Sequence, residues 1–217
     1  MIESPELAEA LAEWFGPDKP VIGSLVGGEL MPGDGAPIEL IDPATESRLA
    51  AYPDGGADAA AAAVDAARTG GDAWRALTAS ARGAVLWRIG LEVRRRAESL
   101  ARLESLVAGK PIRDCRAEVD RVAQMFAYYA GWADKLHGEV IPVPTSHLNY
   151  TRREPYGTVA QITPWNAPLF TAGWQVAPAL ATGNAVVLKP SELTPVTSLC
   201  LAKLALAAGL PPGALNV

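Results

Sequence analysis

Two short stretches hold side chains whose chemistry packing alone does not explain. In ITPWN, residues 162–166, a proline, a tryptophan and an amide crowd in behind the apolar run TVAQI. In KPSE, residues 189–192, an ammonium, a hydroxyl and a carboxylate follow NAVVL. The Asn166 amide is neutral and carries two donors, so it could stabilise an oxyanion where carbonyl chemistry creates one. Glu192 could accept hydrogen bonds from sugar hydroxyls, and Lys189 could donate to the same sugar. Each residue also has a structural account. Asn166 could cap the helix that Pro168 begins, and Trp165 could be a core aromatic. Ser191 and Glu192 could lie in an ordinary loop, with Lys189 ending a strand.

The elements around these residues decide where they can act. From Thr158 onward the pattern alternates: TVAQI, APLFTAGWQVAPALAT, NAVVLK, TPVTSLCLAKLALAAG and ALNV. The first, third and fifth are short, apolar and β-rich, as parallel strands covered on both faces require. Asn166 with Pro168 and Thr194 with Pro195 mark helix starts, and Gly183 and Gly209 mark stops. This is the opening of a doubly wound sheet, in which ligands bind outside the carboxyl ends of the strands. ITPWN and KPSE follow two such ends. An acid after the second strand of a nucleotide fold can hold ribose hydroxyls and disfavours a 2′-phosphate. The fingerprint G-x-G-x-x-G is missing from the chain, so a nucleotide would need another phosphate grip.

Upstream, LVGGEL and PIELI, broken by PGDGAP and followed by DPATES, read as a peripheral hairpin. Helical periodicity runs from Ala57 to about Lys135 in three segments, 57–68, 80–109 and 113–136, with Gly70, Gly71, Gly109 and Pro111 as caps and stops. GEVIPVP and LNYTRREP then read as extended, and Pro142, Pro144 and Pro155 confine them to edge or protruding strands. Such an arm is a ready site for another subunit.

The composition sets outer limits. A chain of 217 residues, 49% of them hydrophobic, can bury a core. A net charge of −5 argues against a nucleic-acid partner. Arg94, Arg95 and Arg96 form the only basic run and share their helix with Glu92 and Glu98, as a solvated face would. No segment is apolar for long enough to span a membrane, and the acidic start MIESPELAEALAEW is unlike a signal peptide, so a cytoplasmic location is expected. Cys115 and Cys200 make no disulfide framework, and no Cys or His pair has metal-ligand spacing. His137 and His147 have no cysteine or carboxylate at catalytic spacing in the sequence and read as structural or solvent-exposed.

The run REPYGTVAQITPWNAPLFTAGWQVAPALATGNAVVLKPSELTP, followed by AAGLPPGALNV, resembles the aldehyde dehydrogenase superfamily. VGGEL, DPATES, GKPI and YYAGWADKLHGEVIP resemble it too, in the right order, so the likeness runs from about Leu25 to Val217. The resemblance implies oxidation of an aldehyde to an acid with NAD or NADP through a covalent intermediate on a cysteine. It implies that Ile162, Thr163, Pro164 and Trp165 line the nicotinamide-ribose side of the cofactor cleft. Asn166 would be the side-chain donor of the oxyanion hole and, with the rest of ITPWN, would also contact the cofactor. Lys189 and Glu192 would hold the adenosine ribose with Ser191 close by, and Glu192 favours NAD over NADP. The family binds nucleotide without the usual glycine fingerprint.

The expected architecture is α/β and truncated. It comprises a hairpin and helical part over 1–137, an oligomerisation arm over 138–155, and the first β-α-β-α-β units of a dinucleotide-binding sheet over 156–217. The family's cofactor-phosphate helix start, general-base glutamate and nucleophilic cysteine would all lie beyond Val217. Cys115 and Cys200 sit on ordinary helices with no promise of a reactive thiol. Met125, Trp132 and Trp174 read as helix packing. An isolated chain of this kind is expected to be inactive, with an unpaired strand edge that favours association. A non-catalytic chain that associates with intact homologues, and a relative linked to acyl-CoA or acyl phosphate, are the alternatives.

Overall fold

The computed structural model describes residues 1–17, 22–144 and 146–217. The chain opens with α1 (Pro5–Phe15), which the sequence reading did not anticipate although its start is encoded. The Ser4 hydroxyl accepts the Leu7 N–H at 3.2 Å, Pro5 fills the first turn, and Leu7, Leu11 and Trp14 face inward. Two antiparallel hairpins follow: β1 (Ser24–Val26) with β2 (Glu29–Met31), and β3 (Pro37–Ile41) with β4 (Arg48–Pro53).

The helical part is α2 (Gly56–Ala76), α3 (Ala79–Arg95), α4 (Ala97–Ala108) and α5 (Ile112–Ala130). The single helix expected over 80–109 is therefore two. It breaks at Arg96, with φ −98° and ψ 17°. The Arg96 guanidinium there donates to Glu13 at 2.7 Å and stacks 5.1 Å over the Trp14 ring, so the break delivers a cation to α1.

Gly70 and Gly71, expected as stops, lie inside α2 and are buried. A Cβ on Gly70 would fall 2.3 Å from the carbonyl carbon of Gly213, and one on Gly71 would fall 3.1 Å from the Ala185 Cβ. The pair thins α2 where another backbone crosses it, which outweighs the helix-propensity cost of glycine.

After α5, β5 (Val140–Ile141) and β6 (Asn149–Tyr150) pair antiparallel in the expected arm, with Val140, Leu148 and Tyr150 exposed. Thr145 of this arm lies outside the described residues. The parallel sheet comes next, as β7 (Thr158–Ile162), β8 (Ala185–Lys189) and β9 (Leu215–Asn216) in the order β7-β8-β9. Helices α6 (Pro168–Ala181) and α7 (Val196–Ala207) make the crossovers, and Gly183 and Gly209 end them at φ 87° and 96°. Ala185, Val186 and Leu188 of the central strand are buried, which is why that strand reads as a continuous apolar run.

The first hairpin is not peripheral. Leu25 donates to the Val217 carbonyl at 2.7 Å and accepts from the Val217 N–H at 3.0 Å, so β1 covers the outer edge at the end of β9. The edge of the sheet is thereby bonded from within the chain at Val217. The outer edge of β7 carries no strand among the described residues. The architecture is the expected α/β one, with a helical N-terminal part, a protruding arm and the opening units of a doubly wound sheet.

Candidate functional site

Register sets the site. Ile162 pairs with Lys189, so β7 and β8 end level with each other. The ladder continues one step further, with the Thr163 N–H donating to the Lys189 carbonyl at 3.1 Å. The Thr194 hydroxyl reaches the Trp165 carbonyl at 3.4 Å. These two bonds hold the loop after β7 beside the loop after β8.

On the first loop, Ile162 is 75% exposed and Trp165 57% exposed, and Pro164 and Asn166 are exposed as well. Trp165 is therefore not a core aromatic; the turn after β7 aims it outward. Thr163 is buried, and its hydroxyl has no hydrogen-bond partner. Asn166 is not a helix cap. The N-cap of α6 is Ala167, at φ −151° and ψ 63°, whose own side chain makes no capping bond. The Leu169 N–H is taken instead by Glu104 of α4, at 3.2 Å. The Asn166 amide makes no hydrogen bond among the described residues, so both its donors remain available to a ligand.

On the second loop, Lys189 and Glu192 are exposed and lie 3.5 Å apart, and the Lys189 ammonium also donates to the Pro190 carbonyl at 3.1 Å. The Glu192 carboxyl is held below the usual carboxylate range, chiefly by its own main-chain N–H and then by Lys189. It is ionised at neutral pH. Ser191 accepts the Leu193 N–H at 3.3 Å, so its hydroxyl shapes the turn. Thr194, an expected cap, is engaged by Trp165, and α7 has Pro195 as its cap with no side-chain bond.

A cavity of about 230 Å³ opens beside this loop. Lys189, Glu192 and Pro195 line one side of it, Tyr52 and Asp54 the other, and Val217 contributes to its wall. The Tyr52 hydroxyl donates to the Glu192 carbonyl at 2.5 Å. Tyr52 and Asp54 were not found from the sequence, because nothing in a hairpin strand announces which loop it will face. Glu104 left a readable trace: a charged residue sits within the apolar spacing of Leu100, Leu103 and Val107.

A second surface feature follows one and two turns beyond Asn166. Phe170 and Trp174 of α6 tilt against each other at 5.6 Å and, with Met125, Tyr128 and Tyr129 of α5, line a shallow groove. Trp174 is 59% exposed and Trp132 is exposed too, so the reading as helix packing is corrected for these two rings, whereas Met125 is half-buried. The cysteines stand apart from both features. Cys115 and Cys200 are buried and unpaired, and burial pushes the Cys115 thiol up to about 11 and the Cys200 thiol higher. No helix among the described residues is long and apolar enough to cross a membrane.

These strand ends, and the sequence that builds them, have clear counterparts. The pattern of the aldehyde dehydrogenase family matches residues 30–217. Betaine aldehyde dehydrogenase of Bacillus subtilis is 44% identical over 182 residues, which cover 82% of this chain and 37% of the relative. Among solved structures, PnpE in complex with nicotinamide adenine dinucleotide superimposes with a TM-score of 0.87 at 41% identity, over 90% of this chain and 40% of that one. The NAD+ complex of aldehyde dehydrogenase from Bacillus cereus does so with a TM-score of 0.89 at 36% identity, over 99% and 43%. The chain belongs to the aldehyde dehydrogenase family. It spans about two fifths of the length of these relatives.

Proposed function

We propose that this chain forms the cofactor-binding part of an NAD-dependent aldehyde dehydrogenase. The observation that carries the reading is the pairing of an unused amide on Asn166 with the Lys189–Glu192 pair, on two loops joined by the 3.1 Å bond between Thr163 and Lys189. The donor set fits a dinucleotide. An ionised carboxylate and an ammonium 3.5 Å apart suit the hydroxyls of a ribose, and the buried Thr163 hydroxyl beside them lacks a partner.

When bound, the nicotinamide ring supplies the hydride acceptor. Ile162, Thr163, Pro164 and Trp165 form the wall on that side, and the exposed Ile162 and Trp165 are free to cover a flat ring and shield it from water. Asn166 donates its amide N–H to the oxygen of the aldehyde as negative charge develops there. Lys189 and Glu192 hold the adenosine ribose, with Ser191 setting the turn between them. The Glu192 carboxylate repels a 2′-phosphate, so NAD is chosen over NADP.

The reaction also needs a thiolate, and neither Cys115 nor Cys200 can provide one, because both are buried with raised pKa values. The 217 residues therefore bind cofactor and do not turn over aldehyde. Assembly through the 138–155 arm belongs to the same reading, since Val140, Leu148 and Tyr150 project from it. The test is calorimetric titration of NAD into the purified chain, with an assay for NADH in the presence of aldehydes. Measurable NAD binding that weakens in Glu192→Gln, with no NADH formed, is expected. Turnover of any aldehyde, or no NAD binding at all, would overturn the reading.

A further inference from the structure

The cavity beside Glu192 has a second wall, made by a part of the chain far from the sheet in sequence. Tyr52, next to last in β4, gives its hydroxyl hydrogen to the Glu192 main-chain carbonyl in the loop that follows β8 at 2.5 Å, across 140 residues of sequence. This O–H···O contact is short for a neutral pair. Burial of the phenol, with Glu192 and Asp54 nearby, raises its pKa well above the usual tyrosine value. The hydroxyl therefore stays protonated and remains a donor at any working pH.

Asp54 stands two residues further on. Its carboxylate accepts the Gly56 N–H at 3.1 Å, which fixes it at the start of α2 on the cavity wall. It also opposes the ionisation of Glu192, as a like charge nearby must. The cavity thus holds two carboxylates, Asp54 and Glu192, against one ammonium, Lys189.

We infer that the β3–β4 hairpin selects the cofactor: Tyr52 is a positioning residue that fixes the Glu192 backbone, and Asp54 is a second carboxylate that rejects a 2′-phosphate. This rests on the proposed reading of Lys189 and Glu192 as the ribose site. Freed from Tyr52, the partly exposed 190–193 turn samples other conformations, and the Glu192 carboxylate is no longer held toward Lys189 and the sugar. The hydroxyls of NAD lose a pre-organised acceptor, and the 2′-phosphate of NADP meets a weaker repulsion.

The test compares the dissociation constants of NAD and NADP for the parent chain, Tyr52→Phe, Asp54→Asn and Glu192→Gln. The ratio of the two constants is the readout, because general loosening of the fold weakens both dinucleotides alike. Tyr52→Phe keeps the ring and is expected to lower the preference for NAD by about fivefold, the usual worth of one net hydrogen bond. Asp54→Asn is expected to lower it by roughly two- to fivefold at low salt, and less as ionic strength rises, since an exposed charge is screened. A parent chain that binds NAD, with preference lost in Glu192→Gln but unchanged in both hairpin variants, overturns this inference and leaves the ribose-site reading standing. A parent chain that binds neither dinucleotide overturns both.

Discussion

The Thr197 hydroxyl donates to the carboxylate of Glu104 at 2.6 Å, deep among apolar residues where Glu104 is 1% exposed. The other oxygen of that carboxylate accepts the Leu169 N–H. One side chain of α4 therefore holds the first turns of α6 and α7, the two helices that begin directly after the candidate loops. It does for α6 what a side-chain cap would have done, and so leaves Asn166 and Ala167 out of the capping.

Removing that carboxylate should be costly. Glu104→Ala leaves the Leu169 N–H and the Thr197 hydroxyl buried without an acceptor and opens a cavity, for an expected loss of about 3 kcal/mol. Glu104→Gln keeps the shape and one acceptor oxygen and should lose less than half of that. Urea unfolding of the two variants and the parent checks the ordering.

The same group gives the parent a pH signature. Burial raises the Glu104 carboxyl above its ordinary value of 4.5, and the bonds from Thr197 and Leu169 and the nearby Lys110 offset this only partly. A raised acid favours the folded state fully below its unfolded pKa, and the advantage is lost as pH rises through the folded value. The stability of the parent relative to Glu104→Gln should therefore fall as pH is raised from about 4.5, whatever the other carboxylates contribute to both. A constant difference across the series would mean that Glu104 titrates normally.

Gly70 gives a sharper packing test. Any side chain there meets the backbone of Gly213 and Ala214, which cannot give way as a flexible side chain would. Gly70→Ala should cost about 1–3 kcal/mol despite the better helix propensity of alanine. Gly131→Ala, whose new Cβ would lie 3.4 Å from the Tyr128 carbonyl, should stay within about 0.5 kcal/mol of the parent. Thermal melting of both variants separates packing from propensity.

The central strand β8 was legible because burial on both faces writes a plain apolar run, and β7 was legible from its β-rich run TVAQI although that strand is only partly buried. β7 spans Thr158–Ile162, the residues read as TVAQI, and Gly183 and Gly209 end helices as expected. Local chemistry misled where tertiary contacts outweighed it. Asn166 before Pro168 has the form of a cap, yet the Leu169 N–H finds its acceptor in a carboxylate 65 residues from it in sequence. Gly70 and Gly71 look like punctuation, yet they mark a close crossing of backbones. The joining of β1 to Val217, and of Tyr52 to Glu192, follows from no local signal, because each partner is ordinary in its own segment.

The two thiols should be inert in the folded protein. Burial pushes the Cys115 thiol up to about 11 and the Cys200 thiol higher, so very little thiolate is expected at pH 8. A disulfide reagent such as DTNB should react slowly with the native chain and rapidly with both thiols once it is unfolded in urea. Fast reaction of one thiol under native conditions would place a reactive cysteine in this chain and reopen the question of turnover.

Asn166 is where structure and function make opposite demands. A capping asparagine loses about 1 kcal/mol of stability when changed to alanine. An exposed amide with no partner loses nothing beyond about 0.5 kcal/mol. Asn166→Ala should therefore melt at the same temperature as the parent and bind NAD with similar affinity, because an oxyanion donor acts on the substrate oxygen during reaction and not on the resting complex. A clear drop in melting temperature would return Asn166 to a structural role. An unchanged melt, set beside the exposed and unbonded amide, leaves this side chain with no purpose in the fold and points to the chemistry of a bound carbonyl.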